Sequence, residues 1–370
     1  MKILYLHHES EISGAERSLR LLFRHLDRSR VAPWFGGAPD GSFAQALRSD
    51  GMVIQPIAFG RLRNLPLLMR TVRRIVKLVR THRIDLLHAH GPQTNVAARV
   101  AGVLCRIPVL WHVRAPLYEG MWDVDRFFSG LATRIVCNSD AVRERFRGSR
   151  AWDKSLTVLN AVDLREFNPE VPREPFRREQ RLAQDDVAIG IVGRIGYKKG
   201  YEEFVGAAIR LLRAGSRATF FVVGDAIFPS DAWRVEALHR QVKDAGMDDR
   251  IRFLGYRKDV ASVLRGLDVL VHASEQDACS RVLCEALASG TAIVATKSGG
   301  TPELVRDGRE GILVPPGDVP TLTGGIERLI GDPTLCVQFR SAGAARAREH
   351  FGIGRHENRM MAIYEAAVRS

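Results

Sequence analysis

The chain reads as an α/β protein made of two doubly wound domains, each a parallel sheet covered by helices. Three observations carry that reading. Residues 2–6 form a buried-type strand, and Ser13-Gly14-Ala15-Glu16 leads from it into a helix through position 26. The same strand–glycine loop–helix order returns at 187–192, followed by Gly193-Arg194 and Lys198-Lys199-Gly200. Between 268 and 303, two strand–loop–helix units follow one another directly. Such alternation builds parallel sheets, whose ligands sit outside the carboxyl ends of the strands.

At 370 residues the chain is long enough for two domains of ordinary size. Its 45% hydrophobic content, without low-complexity tracts, lets both bury a core. No apolar run reaches the ~18 residues of a membrane span. The opening MKILYLHH enters a strand at once and lacks the layout of a signal peptide, so a cytoplasmic protein is expected. Cysteines 105, 137, 279, 284 and 336 have no metal-type spacing and lie mostly in apolar segments, which predicts reduced thiols. The net charge of +13 is unevenly shared: 26 Lys and Arg face 15 Asp and Glu through Asn168, but 29 face 27 afterwards. A basic first half predicts an anionic partner there, membrane lipid or a phosphorylated acceptor. Nucleic acid ranks behind both and is not expected, because no nucleic-acid motif is present.

Further strands are predicted at 31–35, 53–57, 84–88, 108–112 and 134–137. The loops after the last three carry His88, His90, His112 and Asn138-Ser139. A lone histidine is more often structural than functional, but His90, His112 and Asn138 fall at strand carboxyl ends, the ligand side of such a sheet. Residues 70–83 read as a helix: Val72, Ile75, Val76 and Val79 repeat at helical spacing, opposite Arg73, Arg74, Lys77 and Arg80. The valine stripe is expected to pack on the sheet while arginines meet anionic headgroups, a peripheral attachment at the inner membrane face. Arg143, Arg145, Arg147 and Arg150, with Phe146 and Trp152 among them, extend the basic half. Asp123-Val124-Asp125, within a predicted helix, reads as surface charge, and no cluster has metal-ligand spacing, so no metal is expected. The first glycine loop lacks G-x-G-x-x-G, which argues against an ordinary NAD site.

A strand at 155–159 exits through Asn160-Ala161-Val162-Asp163 and Phe167-Asn168-Pro169, dividing the chain into 1–168, 169–350 and a closing segment 351–370. The charged run 170–180 is the expected linker. In the second half, strand ends are predicted before Gly224-Asp225 and at Leu254 before Gly255-Tyr256. A strand at 268–271 and a polar loop at 274–280 precede a helix marked by Val282, Leu283, Ala286 and Leu287 and closed by Gly290. The strand at 292–295 leads to Gly299-Gly300-Thr301-Pro302, with Thr301 as the expected helix cap. A last strand falls at 311–314, and the closing helix, 355–368, shows Met360, Ile363, Tyr364 and Val368 on one stripe. The helix beginning near Ser280 aims a positive N-terminus at the crevice, where a phosphate is favoured. Asp277 in the loop and Glu285 in the helix flank that position and suit sugar or ribose hydroxyls.

With Glu285-Ala286, Ser289-Gly290, Gly299-Gly300 and Glu303 in place, the segment resembles the nucleotide-sugar site of glycosyltransferase family 4, a retaining family with the two-domain GT-B fold. Asp277 stands where that family usually has Glu, and Ala278-Cys279-Ser280 replaces its Gly-aromatic-Gly. The exit through Asn160 and Phe167, the Asp85-to-His90 stretch and Asn138-Ser139 are further landmarks, with Ala161 in place of Gly. The resemblance implies two Rossmann-like domains facing across a cleft, donor in the second and acceptor in the first, with the closing helix crossing back to the first. It implies donor pyrophosphate contacts at Arg194 and Lys199, with Gly14, Gly193 and Ser280 also in the nucleotide-sugar site. Gly224, Leu254, Cys279, Arg281, Val282 and Glu285 would complete the nucleotide-sugar site, and Glu16, His90 and Asn138 would meet the acceptor.

The activity implied by the resemblance is transfer of a hexose-type sugar from a UDP- or GDP-sugar to a glycan or lipid-linked acceptor, as in cell-surface polysaccharide synthesis. Arg194, Lys199, His112 and Asp277 would carry the chemistry, with no cofactor beyond the nucleotide sugar as co-substrate. Two cations offset the charge growing on a departing diphosphate. A sugar-nucleotide 2-epimerase and a non-catalytic sugar-nucleotide-binding protein are the alternatives, the second motivated by the departures at Asp277 and Ala278-Cys279-Ser280.

Overall fold

A computed structural model of the chain describes residues 1–117 and 122–369. The chain forms two compact units. The first holds Met1–Ala161 together with the closing helix Ile353–Arg369, and the second holds Val162–Gly352. Val162 belongs to the second unit because its N–H donates to the Phe351 carbonyl (2.9 Å) and it bridges Gly352 in parallel.

The first unit carries seven strands: β1 Lys2–His7, β2 Ala32–Gly37, β3 Ile54–Pro56, β4 Leu86–His90, β5 Val109–Val113, β6 Arg134–Cys137 and β7 Ser155–Thr157. All pair in parallel, in the order β3-β2-β1-β4-β5-β6-β7. Strands covered on both faces must be apolar throughout, which is why β1 and β5 read as continuous runs rather than alternations. The strand order reverses between β1 and β4, which opens a crevice at their carboxyl ends. β4 and β5 end at His90 and Val113, beyond the expected 88 and 112, so His90 is a strand residue like His88 and His112 rather than a loop residue. Register aligns His7 with His90 and His90 with His112.

The helix over 70–83 is longer than expected, Leu65–His82, because Asn64 caps it by accepting from the Leu67 N–H (3.2 Å). Leu78, not Val76, completes its buried stripe, while Arg73, Lys77 and Arg80 stay exposed. In the closing helix, Met360, Met361, Ile363, Tyr364 and Ala367 join Tyr5, Phe23, Leu110 and Val136 in the first unit's core. Val368 lies off that stripe, 43% exposed.

The second unit has six parallel strands: β8 Ala188–Val192, β9 Thr219–Val223, β10 Ile251–Gly255, β11 Val269–His272, β12 Ala292–Thr296 and β13 Gly311–Val314. Their order, β10-β9-β8-β11-β12-β13, reverses between β8 and β11. The expected linker is not a free connector. Its residues Glu174–Glu179 form a helix whose Phe176 is buried edge-on to Phe221, with ring centroids 5.4 Å apart. Arg173 (2.7 Å) and Arg177 (3.2 Å) on this stretch donate to Asp268 at the head of β11.

Candidate active site

Loops after β8, β11 and β12 meet at the reversal of the second sheet. Gly200 (φ +75°) lies so close to the Ala273 carbonyl that a Cβ there would stand 2.1 Å from its oxygen. At Gly299 (φ +50°) a Cβ would come within 1.9 Å of the Asp277 carbonyl, to which the Gly300 N–H donates (3.0 Å). Glycine is the residue that lets three loops pack backbone to backbone here. Gly193 and Gly224 close the neighbouring ends of β8 and β9, and Tyr201 Oη donates to the Gly193 carbonyl (2.7 Å). Leu254 lies next to last in β10.

This packing brings Lys199 Nζ to 2.9 Å from Asp277 Oδ2, with His272 Nε2 3.4 Å from the same oxygen. Burial alone would raise the Asp277 pKa, but the hydrogen bond from His272 and the charge of Lys199 outweigh it and hold the carboxyl well below the usual range. Arg194 is braced by Asp231 (3.0 Å) and lies over the Phe228 ring, 5.1 Å from its centroid. The helix Arg281–Ser289 begins directly after Ser280, without an acidic residue in its first turn. Arg281 Nη2 donates to Glu285 Oε1 (2.8 Å) one turn on, and Val282 is half-buried beside them. Cys279 and Cys284 are hydrogen-bonded thiols, and that bond with burial pushes the Cys284 pKa up. Gly300, not Thr301, caps the next helix, Thr301–Leu304, since Thr301 already lies in its first turn. The arrangement offers the cations Arg194, Lys199 and Arg281, a helix N-terminus and the carboxylates Asp277 and Glu285 around one set of strand ends. His272 is a functional candidate that sequence reasoning misses. Its signal is its place directly after a predicted strand.

The first unit gathers polar groups at the carboxyl ends of four adjacent strands. Glu16, expected at the acceptor, is buried with both oxygens engaged. Oε1 lies 2.6 Å from His7 Nε2, and Oε2 accepts from the Ser13 N–H (2.8 Å) and Oγ (2.5 Å). Burial works against this carboxylate, yet His7 and Ser13 hold its pKa down at about 2. Gly14, by contrast, is exposed at the start of its helix with open space where a side chain would stand. His7 Nδ1, His90 Nε2, His112 Nε2 and Asn138 Oδ1 are all buried without a hydrogen-bond partner among the described residues. An unsatisfied buried polar atom costs about 1–3 kcal/mol, and this row of four is chemically able to meet the hydroxyls of a ligand.

Ring nitrogens of His88, His90 and His112 all lie within 4.8 Å of one another, a cluster that spacing along the chain conceals. Burial, followed by the charge of Arg114, keeps His88 and His112 neutral, and burial with neighbouring histidines does so for His90. The Arg114 guanidinium, 3.5 Å from His112 Nδ1, opposes a cation at this cluster. Asp123 and Asp125 are not surface charge. Arg145 Nη2 bonds both, at 2.6 and 3.4 Å, and Asn95 donates to buried Asp125 (2.9 Å), because a buried carboxylate needs partners.

Residues 12–166 match the family model described as Glycosyltransferase Family 4, and residues 186–332 match Glycosyl transferases group 1. The chain is 29% identical to the 2-deoxystreptamine glucosyltransferase of Streptomyces kanamyceticus, over 79% of this chain and 80% of that protein. It is 30% identical to the D-inositol 3-phosphate glycosyltransferase of Streptomyces bingchenggensis, over 77% of this chain and 67% of that protein. Among solved structures it resembles Anabaena Alr3699/HepE in complex with UDP and glucose, with a TM-score of 0.85, 26% identity and 99% of each chain covered.

Proposed function

The chain belongs to glycosyltransferase family 4 and has its two-domain GT-B fold, and from that membership we propose that it is a retaining hexosyltransferase using a nucleoside-diphosphate sugar. The observation that carries this reading is the contact of Lys199 with Asp277 where β8 and β11 diverge, beside a helix N-terminus that favours phosphate. Arg194, Lys199 and that helix end stabilise the diphosphate as it leaves. Asp277 holds hydroxyls of the donor sugar, and Glu285 holds the ribose. The bond from C1 to the phosphate oxygen breaks, and the acceptor oxygen bonds C1 on the same face. The acceptor's proton passes to the departing phosphate. No metal is needed in this scheme, because two side-chain cations meet the growing charge.

The UDP and glucose held by the Anabaena relative favour a uridine donor here, with GDP as the alternative. The acceptor is a glycan or lipid-linked saccharide in cell-surface polysaccharide synthesis, bound along the polar strand ends of the first unit. The basic charge of that unit fits a peripheral position at the inner face of a membrane. None of the described helices is long and apolar enough to cross one.

A panel of UDP- and GDP-sugars, first ranked by thermal shift, tests the scheme, since a ligand bound to the folded state raises its stability. With the selected donor, nucleoside diphosphate release should depend on a hydroxyl acceptor, and NMR of the product should show the donor's anomeric configuration. Conversion of the donor sugar without acceptor would point to an epimerase. Binding without transfer to any glycan or lipid-linked acceptor would point to a binding protein.

A further inference from the structure

Four side chains form a hydrogen-bonded line through the first unit. Tyr5 Oη lies 3.2 Å from Tyr364 Oη, Tyr364 Oη lies 3.0 Å from His88 Nδ1, and His88 Nε2 lies 3.3 Å from His112 Nδ1. All four are fully buried. With neutral imidazoles, such a line has two self-consistent directions. In one, each hydroxyl and ring N–H donates toward His112, leaving His112 protonated at Nε2. In the other, His112 Nδ1–H donates toward the tyrosines, and its Nε2 is a bare acceptor.

Arg114 breaks the tie. Its Nη2 lies 3.5 Å from His112 Nδ1, and a guanidinium can only donate. An N–H at His112 Nδ1 would face that N–H, whereas a bare Nδ1 presents one lone pair that the Arg114 and His88 N–H groups share. Arg114 is itself held in place, since its Nη1 donates to Asn160 Oδ1 (3.0 Å). Asn160 opens the Asn160-Ala161-Val162-Asp163 stretch, whose purpose the proposed chemistry leaves open.

We propose that Arg114 and Tyr364 act as positioning residues that fix His88 and His112 as Nε2–H tautomers, so that His112 Nε2–H donates to an oxygen of the bound saccharide. This rests on the reading of the first unit's strand ends as a saccharide site. The observation independent of that reading is the buried His112 Nε2 at the end of the line, which has no hydrogen-bond partner among the described residues. A donor left unsatisfied in the free protein gains its hydrogen bond when ligand arrives. The closing helix thereby acquires a part in the reaction beyond packing, through Tyr364.

Long-range proton–nitrogen correlation spectra of the full chain labelled with nitrogen-15 histidine read the tautomers directly. His88 and His112 resonances can be assigned by single substitution. Protons at Nε2 of both, with bare Nδ1 atoms, are expected, and Nδ1–H on His112 overturns the proposal. Arg114→Gln, which can also accept, should let His112 exchange between tautomers, while Arg114→Lys should preserve the wild-type pattern. Tyr364→Phe should populate the other tautomer of His88, and an unchanged spectrum would remove Tyr364 from the mechanism.

Transfer assays test what the donor is for. Gln places its amide nitrogen near the position of Nε2, and Asn places it near Nδ1. His112→Gln should keep kcat/KM within ~10-fold, while His112→Asn should lose on the order of 100-fold. Equal losses, or the reverse order, would show that Nε2–H is not the working atom. The spectra need no donor sugar. Failure to find any transferase activity beside the expected tautomers would therefore count against the proposed function and not against the fixed tautomers.

Discussion

Asp277 and Lys199 lie 78 positions apart in the chain, yet they form one ion pair at the centre of the second unit's strand ends. That pairing sharpens the division of labour between Asp277 and Glu285. Because Asp277 neutralises Lys199 in the free protein, Asp277→Asn should leave nucleoside diphosphate binding intact or tighten it, while lowering turnover or loosening the choice of sugar. Glu285→Gln should weaken nucleoside diphosphate and intact donor alike, by about 1.5–3 kcal/mol if a charged hydrogen bond is lost. Asp277→Glu restores the residue usual in the family with a side chain one methylene longer. Calorimetric titration of each variant with both ligands decides the matter, and equal loss of nucleoside diphosphate affinity in the two variants would refute the division. Arg194 and Lys199 are legible in the sequence beside Gly193 and Gly200, and Asp277 and Glu285 from their places before and within the helix that begins near Ser280. His272 is not, because nothing along the chain says that it shares an oxygen with Lys199. Glu16 is legible as a residue but not in its partners, since its contact with His7 depends on how the first helix leaves the sheet.

At the scale of elements, helical and strand periods locate the secondary structure well, and the errors fall where tertiary contact decides. β4 runs to His90 because β1 and β5 on either side supply hydrogen-bonding partners that far. The Glu174–Glu179 helix is hidden in a run of charges, and it is the burial of Phe176 and the two arginines on Asp268 that order it. Asp123 and Asp125 look like exposed acid until Arg145 and Asn95 are brought against them. The helix Leu65–His82 keeps its expected character, one face in the core and Arg73, Lys77 and Arg80 exposed, with Arg74 half-buried. It should therefore contribute to binding of anionic vesicles, roughly 1 kcal/mol for each basic residue near the surface. Replacing Arg73, Arg74, Lys77 and Arg80 by Gln should weaken sedimentation with anionic vesicles, and salt should do the same to the wild type. Equal sedimentation with neutral and anionic vesicles would assign the excess charge to another partner.

At the scale of the whole molecule, two sheets of like construction hold different chemistry at equivalent places. In each, the strand order reverses beside the first strand, and a charged residue follows that strand, Glu16 in the first turn of the next helix in one and Lys199 in the loop in the other. The repeated strand–glycine loop–helix openings make that duplication readable from sequence. The proposed division between the units rests on charge at each site: Arg194 and Lys199 beside a helix N-terminus suit a diphosphate, whereas neutral histidines and an asparagine suit hydroxyls. The most direct test of the proposed chemistry is nucleoside diphosphate release from the selected donor in the presence of acceptor, compared among wild type, Arg194→Ala and Lys199→Ala. Each variant should retain its fold and lose ~10²–10³-fold in turnover, the scale for removing a charge stabiliser from a shielded site. Near-normal release in both variants would contradict the assignment of the leaving diphosphate to these two cations.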